Sequence, residues 1–335
     1  MSKEYSMRKY LFILFIVLPA LFSACENELP YRDRPQEPEL LMSAFLEVGK
    51  EENEVKLYVV NPGINGIEPV TDASVSVYLN GEKTETVESE RFSSWNICTL
   101  KTRFHPGDRV RLEATAEDGK YQVSAETEFP FPMEETIRVD TLRTQVKELY
   151  GMRDCLRYRI AIQDRPGEKN YYRLLIQENY YRISSEDGVK YGPFVTDFEI
   201  INQEDIVLTD GHLTTADDDE FGILDMTIRN VRNVFTDSRF TDGSYTLNVY
   251  TDDRNYQNDN SRDHVIVDIA VRLQSITQAQ YRYMRAMNCL DSDDYNETFM
   301  EPVIVPQNVS GGLGFVGASS EQQVTLRMID RPPLW

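Results

Sequence analysis

The sequence contains few of the residues that most often bind metals or act as catalytic nucleophiles. Its 335 residues include three histidines and four cysteines. The histidines, His105, His212 and His264, are far apart in sequence and form no H-x-x-x-H pair, so we expect no histidine-based metal site. The chain also lacks the G-x-S-x-G motif of a nucleophile elbow. We therefore expect a protein that is not an enzyme and that carries no cofactor and no catalytic metal.

Positive charge is scarce as well. Lysine and arginine together number 35, against 56 aspartates and glutamates, which gives a formal net charge of −21 at pH 7. Such a chain cannot bind nucleic acid by neutralising phosphates. The same charge is repelled by anionic lipid and favours solubility on a crowded surface. We expect no nucleic-acid partner. Any attachment to a membrane has to come from something other than electrostatic attraction to its lipids.

Long hydrophobic runs are confined to the N-terminus. Three basic residues precede the apolar stretch 10–18, which is too short to span a bilayer comfortably. Two small residues then stand directly before Cys25, which is the pattern that a lipoprotein signal peptidase cleaves. We predict a signal peptide over 1–24 and a lipid bilayer anchor through acylated Cys25. The alternatives are an ordinary secretory signal that ends near a cysteine, or an uncleaved anchor helix.

The next segment, 25–38, combines acidic residues with three prolines. Proline disfavours both helix and strand pairing, so this composition predicts an extended, solvated tether. Acid directly after the cysteine resembles the surface-export signal of Bacteroidota lipoproteins. We expect an outer-membrane protein that is exposed on the cell surface, and the alternative is an unspecialised polar spacer.

Beyond Cys25 the chain contains only three further cysteines, Cys98, Cys155 and Cys289. An odd number leaves at least one thiol unpaired in an oxidising compartment. Cys155 and Cys289 fall in one predicted domain, so they either form a disulfide or stay reduced. The sequence leaves both possibilities open.

Residues 39–132 have the pattern of an immunoglobulin-like β-sandwich. The stretch 73–79 alternates apolar and polar side chains and runs into Asn80-Gly81, the dipeptide preferred in a type I′ hairpin turn. Several short strands at such spacing without a helical stretch indicate a sandwich. The two prolines at 130 and 132 cannot join a central strand, and we place the domain boundary there.

Residues 135–335 are also rich in strand patterns and predict a larger antiparallel β domain, either a sandwich or barrel-like. One amphipathic helix is expected after Thr277, where Thr277 and Gln280 form a capping box. The expected core-facing stripe of this helix lies at helical spacing; it comprises Ala279, Tyr283, Ala286, Met287 and Leu290. The fold class is therefore all-β with two domains and one helix.

Two motifs have the form of ligand sites without the required context. Gly312-Leu-Gly314-Phe-Val-Gly317 matches G-x-G-x-x-G, but it lies near the end of the chain and does not open a βαβ unit. We expect these glycines to permit a bulge or close packing. The stretch 291–297, and the shorter acidic loops 217–220 and 259–263, are rich in oxygen ligands. They leave a weak structural calcium site open, although 291–297 lacks the glycine at the sixth position of a calcium loop.

Four tyrosines provide the only candidates for a ligand surface. Tyr171, Tyr172, Tyr180 and Tyr181 are predicted to cluster around one hairpin. Amphipathic aromatic side chains are favoured at recognition surfaces. The alternative is that they pack in the sheet core and in cross-strand pairs.

Taken together, these patterns resemble a known family, the lipoproteins with domain of unknown function 4249. The resemblance covers the acidic segment after the lipobox and essentially the whole mature chain. It is carried by the segments 72–78, Phe129-Pro130, 273–277, 301–303 and 308–318.

This resemblance implies an outer-membrane lipoprotein found alongside TonB-dependent receptors, with no catalytic residue or cofactor to carry over. Our leading hypothesis is an accessory or ligand-binding partner of a TonB-dependent transporter. A structural or adhesive surface lipoprotein is the alternative. A surface hydrolase is a third possibility and would require clustered polar residues in a cleft of the second domain.

Overall fold

A computed structural model describes residues 37–331, except for 63–65, 93–94, 149–150, 165–166, 212–227, 255–262, 293–294 and 296–301. The predicted signal peptide, Cys25 and almost all of the tether 25–38 lie outside this range. No helix of the described residues is long and apolar enough to cross a membrane. The described chain is mostly β-strand and contains one α-helix, as the sequence predicts.

Nine strands precede the predicted domain boundary: β1 (Glu39–Glu47), β2 (Asn53–Asn61), β3 (Gly66–Glu68), β4 (Ser74–Leu79), β5 (Glu82–Glu88), β6 (Glu90–Phe92), β7 (Trp95–Leu100), β8 (Arg109–Ala116) and β9 (Tyr121–Glu128). Nine more strands and the helix follow: β10 (Arg138–Glu148), β11 (Gly151–Gln163), β12 (Tyr171–Ile183), β13 (Lys190–Asp197), β14 (Val234–Thr236), β15 (Ser244–Asp252), β16 (His264–Ile276), α1 (Gln278–Leu290), β17 (Val309–Ser310) and β18 (Leu313–Arg331).

These strands form three sheets. The largest has ten strands in the order β13-β12-β16-β18-β1-β2-β7-β6, with β14 beside β12 and β3 beside β2. A five-stranded sheet has the order β17-β9-β8-β4-β5, and a three-stranded sheet has the order β10-β11-β15. None of the three described sheets closes into a barrel, so both domains are sandwich-like.

Two hydrophobic cores lie on one face of the large sheet. The first fills the space between β1, β2 and β7 and the five-stranded sheet, and Leu57, Val77 and Leu112 are fully buried in it. The second lies between β12 and β16 and the three-stranded sheet, around Tyr158 and Leu174. Each layer alternates buried and exposed residues, which is what a sheet with one covered face requires.

The two sandwiches share strand β18. Its first half pairs in parallel with β1, from Leu41–Leu313 to Glu47–Ser319, and its second half pairs antiparallel with β16. Val316 and Ala318 therefore pack in the first core. The predicted ranges 39–132 and 135–335 differ from the structure here, because residues 309–319 belong with the first sandwich.

The hairpin at Asn80-Gly81 forms as the dipeptide indicates. Asn80 and Gly81 have φ values of 51° and 90°, the left-handed region that a type I′ turn needs at both positions. Asn80 also accepts a hydrogen bond from the Arg109 backbone at 3.0 Å and donates one to Asp108 at 2.9 Å. The turn is thus tied to the neighbouring strand β8.

Helix α1 lies on the face of the large sheet opposite the two cores. Thr277 caps it and accepts from the Gln280 backbone at 3.1 Å, as predicted. The predicted stripe is confirmed only in part. Tyr283 stacks on Phe315 of β18 at 4.5 Å, but Ala279 and Leu290 are exposed, and the buried residues are Gln280, Met284 and Asn288. Asn288 can occupy this face because the chain beneath offers a partner: its side-chain amide donates to Asn230 at 2.9 Å.

The glycine motif opens β18 and has a packing role, as expected. Gly314 has φ +117°, a conformation that residues with a side chain rarely adopt. A methyl group there would overlap the Met42 carbonyl oxygen on β1. At Gly317 a methyl group would lie 2.6 Å from the side-chain oxygen of Gln280, so this glycine lets α1 approach the sheet.

Candidate functional site

The four candidate tyrosines lie on a single strand and not around a hairpin. All belong to β12, which runs without interruption from Tyr171 to Ile183. Nine residues separate Tyr171 from Tyr180, a distance of about 30 Å at the rise of roughly 3.3 Å per residue in a strand. The expected cluster is therefore wrong, because the turn that would fold the pairs together is not there.

Each tyrosine has aromatic or cationic neighbours. Tyr172 points into the second core and packs on Phe235, with ring centroids 5.5 Å apart. Tyr171 points to the opposite face and contacts Tyr281 of α1 at 5.2 Å. At the other end of the strand, Tyr180 lies 6.3 Å from Phe194 and the Lys190 amine lies 4.1 Å from the Tyr181 ring. Packing within the protein therefore covers much of the surface of these four tyrosine rings.

One pair of tyrosines does border a cavity. A groove of about 310 Å³ lies where the chain passes from the first sandwich to the second, and we call it the junction groove. Phe131, which is 59% exposed, and Tyr171 provide aromatic surface, while Asp164, Lys169 and Asn170 provide polar groups. Its full lining is Pro130, Phe131, Pro132, Met133, Asp164, Glu168, Lys169, Asn170, Tyr171, Tyr172, Ser275, Ile276 and Gln278.

The junction groove is built by the segment that links the sandwiches. Phe129 stays in the first core, stacked on Phe104 at 4.8 Å, and Met133 enters the second core. Gln322 of β18 fixes the linker, since its amide donates to the Met133 carbonyl and its oxygen accepts from the Ile137 backbone at 3.1 Å. The groove wall is therefore held to the strand common to both sandwiches.

A pair of carboxyl groups lies at one end of the groove. Asp164 is buried, and Asn170 donates to its two oxygens at 3.2 Å and to Asp237 at 2.8 Å. Burial raises the pKa of Asp237, and Asp164 raises it further through charge and a shared hydrogen bond, against the opposing bond from Asn170. The Asp237 carboxyl is therefore easier to protonate than an ordinary aspartate.

The outer face of the large sheet carries an ion network where β1 meets β16 and β18. The Arg272 guanidinium lies 2.5 Å from Glu47 and 2.6 Å from Glu321, and it donates to Gln177 at 3.0 Å. Burial raises the pKa of Glu47, but Arg272 and Lys50 outweigh it and hold that pKa below the ordinary value. We call Glu47, Arg272 and Glu321 the junction ion network; it links the two sandwiches.

The described residues contain no group of three or more His, Cys, Asp or Glu side chains that could hold a metal ion. The acidic loop 217–220 and most of 291–297 and 259–263 lie outside those residues, so the calcium hypothesis stays untested. Cys155 and Cys289 form no disulfide with each other. Burial raises the pKa of the Cys98 thiol to about 12, which leaves it protonated and unreactive.

Neither the junction groove nor the junction ion network was evident in the sequence. Asp164 and Asp237 are 73 residues apart, and nothing in their local sequence distinguishes them from the many surface acids. Arg272 lies at an outward-facing position of β16, and the sequence around it has the usual strand-like pattern of side chains. The prolines at 130 and 132 marked the linker, which was the one usable signal.

The fold and the groove define a class: an all-β protein of two sandwiches joined by one strand, with a small mixed aromatic and polar cleft at their junction. A match to a family model confirms the family that the motifs predict. The chain belongs to the family described as domain of unknown function (DUF4249), whose model matches residues 26–325. No curated protein matches the sequence.

Solved structures show only distant likeness. An α-2-macroglobulin from Escherichia coli is 8% identical with a TM-score of 0.24, over 73% of this chain and 15% of that one. A β-glucuronidase from Parabacteroides merdae is 10% identical with a TM-score of 0.20, over 71% and 24%. A putative membrane anchored protein from Corynebacterium diphtheriae is 9% identical with a TM-score of 0.20, over 89% and 62%. The chain thus spans under a quarter of the first two, and such low scores carry no argument about function.

Proposed function

We propose that this protein is an outer-membrane lipoprotein, held through acylated Cys25 and exposed at the cell surface, that acts as an accessory or ligand-binding partner of a TonB-dependent transporter. The observation that carries the proposal is the lipobox of two small residues before Cys25, followed by an acidic tether. Family membership supports it, because the relatives that the motifs resemble are lipoproteins found beside such transporters.

The geometry of the chain is compatible with an anchored receptor module. Strand β1 begins at Glu39, directly after the tether 25–38, so the anchor leads into the middle of the large sheet. A tether of 14 residues spans at most about 50 Å when fully extended, at roughly 3.3–3.6 Å per residue. The body is then held within reach of a membrane-embedded partner, without embedding itself.

The junction groove is the place where a ligand would bind. It combines exposed aromatic surface with carboxyl, amide and amine groups, a mixture that suits small polar ligands. Within it, the Asn170 side chain is hydrogen-bonded to Asp164, and the Asn170 backbone is hydrogen-bonded to the neighbouring Asp237. We therefore propose a binding role and not a catalytic one.

The anchor has a direct test. A Cys25→Ala variant should lose metabolic labelling with palmitate and leave the membrane fraction, whereas Cys98→Ala, in which a buried thiol is removed, should keep both. Surface exposure follows from protease accessibility in intact cells. A Cys25→Ala variant that remains labelled and membrane-bound would show that the anchor is assigned wrongly.

The partner has a separate test. Cross-linking in intact cells followed by affinity purification should recover a TonB-dependent transporter, and the double variant Phe131→Ala/Tyr171→Ala should impair ligand delivery without loss of folding. Recovery of host matrix proteins that persists after deletion of the transporter would support the alternative, a structural or adhesive lipoprotein. The continuous strand β18, which joins both sandwiches, fits that role of a rigid spacer.

A further inference from the structure

Three arginines lie near one another on the outer face of the large sheet, beside α1. Arg272 is paired with Glu47 and Glu321 in the junction ion network. Arg232 is paired with Asp291 at 2.6 Å. Arg173 has no carboxylate partner among the described residues, and it is the one that calls for an explanation.

The position of Arg173 is fixed by the sheet. It lies on β12 opposite Gln274 of β16 and opposite Val234 of β14. Val234 belongs to the small apolar cluster beneath α1 that also contains Met284. The guanidinium thus stands at the edge of a packed apolar patch, on the face away from both cores.

The Arg173 side chain is half-buried, and its Nε is shut off from solvent without an acceptor. No hydrogen bond or ion pair joins it to any residue in the described ranges. Burial lowers the pKa of Arg173, and the charge of Arg232 lowers it further, although Asp197 and Glu47 act in the opposite direction. An arginine in such surroundings is normally neutralised by a carboxylate or another oxyanion.

We propose that Arg173, together with Arg232, forms a binding site for a carboxylate group supplied from outside the described chain. The planar guanidinium presents parallel N–H donors that match the two oxygens of a carboxylate. Arg232, two residues before the Val234 that pairs with Arg173, adds a second positive charge beside its own ion pair with Asp291. The site lies on the opposite face of the sheet from the two cores and does not depend on the transporter proposal.

The charge of the whole chain sharpens this inference. With a net charge of −21, the protein repels anions at long range, and salt screens that repulsion within about 10 Å at 0.1 M. The overall charge therefore does not draw anions to this surface, and a carboxylate that binds here has to be held by close contacts with the arginines.

The test compares thermal unfolding of the full-length protein in sodium acetate and in sodium chloride at equal ionic strength. Acetate should raise the Tm of the wild type in proportion to the logarithm of its concentration. Arg173→Met should remove that response, and in chloride it should melt above the wild type, because an unpaired charge has been removed from an apolar edge. Arg109→Met, which alters an 80% exposed arginine paired with Glu128, is the control and should keep the acetate response.

A second arm identifies the source of the carboxylate. A capped Gly-Glu-Gly peptide that binds at least tenfold more tightly than acetate, while its Gln analogue does not bind, would point to an acidic side chain of a partner protein. Equal affinities would point to a free small carboxylate. If acetate fails to stabilise the wild type, or stabilises Arg173→Met equally, the site does not exist.

Discussion

Substituting Gly314 by alanine tests whether the glycine motif holds β1 against β18. Gly314 has φ +117°, and a new methyl group would overlap the Met42 carbonyl oxygen and lie 2.9 Å from its carbonyl carbon. The backbone conformation alone costs about 1–2 kcal/mol. Displacing the backbone of β1 in a packed sheet adds roughly 1–3 kcal/mol, so we expect a total loss of about 2–5 kcal/mol in unfolding free energy.

Gly81→Ala provides a matched control. Gly81 also has a positive φ, +90°, but a methyl group there would meet no atom within 4 Å. Only the conformational part of the loss remains, about 1–2 kcal/mol. The difference between the two variants isolates the contact between Gly314 and Met42.

The assay is urea unfolding of the full-length protein, followed by fluorescence and by far-UV circular dichroism. Because β18 belongs to both sandwiches, Gly314→Ala should lower the unfolding midpoint reported by either signal. If Gly314→Ala is no less stable than Gly81→Ala, the close approach of β1 and β18 is wrong, and so is the parallel register that it fixes.

Two further predictions concern charged groups. Arg272→Met should destabilise the protein at pH 7 by about 3 kcal/mol, since it leaves Glu321 without its Arg272 partner and leaves Glu47 with only the more exposed Lys50 as a counter-charge. Arg109→Met at an exposed pair should change the unfolding free energy by at most about 1 kcal/mol. The pKa of Glu47 is lowered from 4.5, so the stabilisation by this ion pair is fully present above pH 4.5. The difference in unfolding free energy between wild type and Arg272→Met should shrink as the pH falls through the folded-state pKa. A difference that does not depend on pH between 7 and 3 would contradict this reasoning. Asp237→Asn should show the opposite pH dependence. The pKa of Asp237 is raised, so the wild type loses stability as the pH rises above 3.8. In the same urea assay, the unfolding free energy of the variant should therefore increase relative to that of the wild type between pH 4 and pH 7. An Asp237→Asn protein that loses stability relative to the wild type over that range would show that folding does not raise the pKa of Asp237.

The strands were predictable because their signals are local. The alternation in 73–79 and the turn at Asn80-Gly81 need only neighbouring residues, and both are as expected. Thr277 likewise marked the start of α1 through its own cap. These features depend on backbone geometry that a few adjacent side chains decide.

What the sequence concealed depends on residues that are distant along the chain. The buried face of α1 includes Asn288, and a polar residue in a helix is expected to face solvent until its partners, here Asn230 and Arg232, are known. The tyrosines at 171 and 180 looked like the two arms of a hairpin, because a strand of 13 residues exceeds the usual length of about five or six. The parallel pairing of β1 with β18 has no local signature at all.

That pairing has a consequence for how the protein is made. The chain leaves the ribosome from its N-terminus, and β1 gains its partner on one side only when residues beyond 313 have emerged. Until then the first sandwich has an open edge and an incomplete core, since Val316 and Ala318 are still absent from it. Contacts so distant in sequence slow folding. Strand β18, which is synthesised after all the other strands described, therefore completes the first sandwich as well as the second. A chain truncated before β18 would be left with two unfinished cores instead of one folded half.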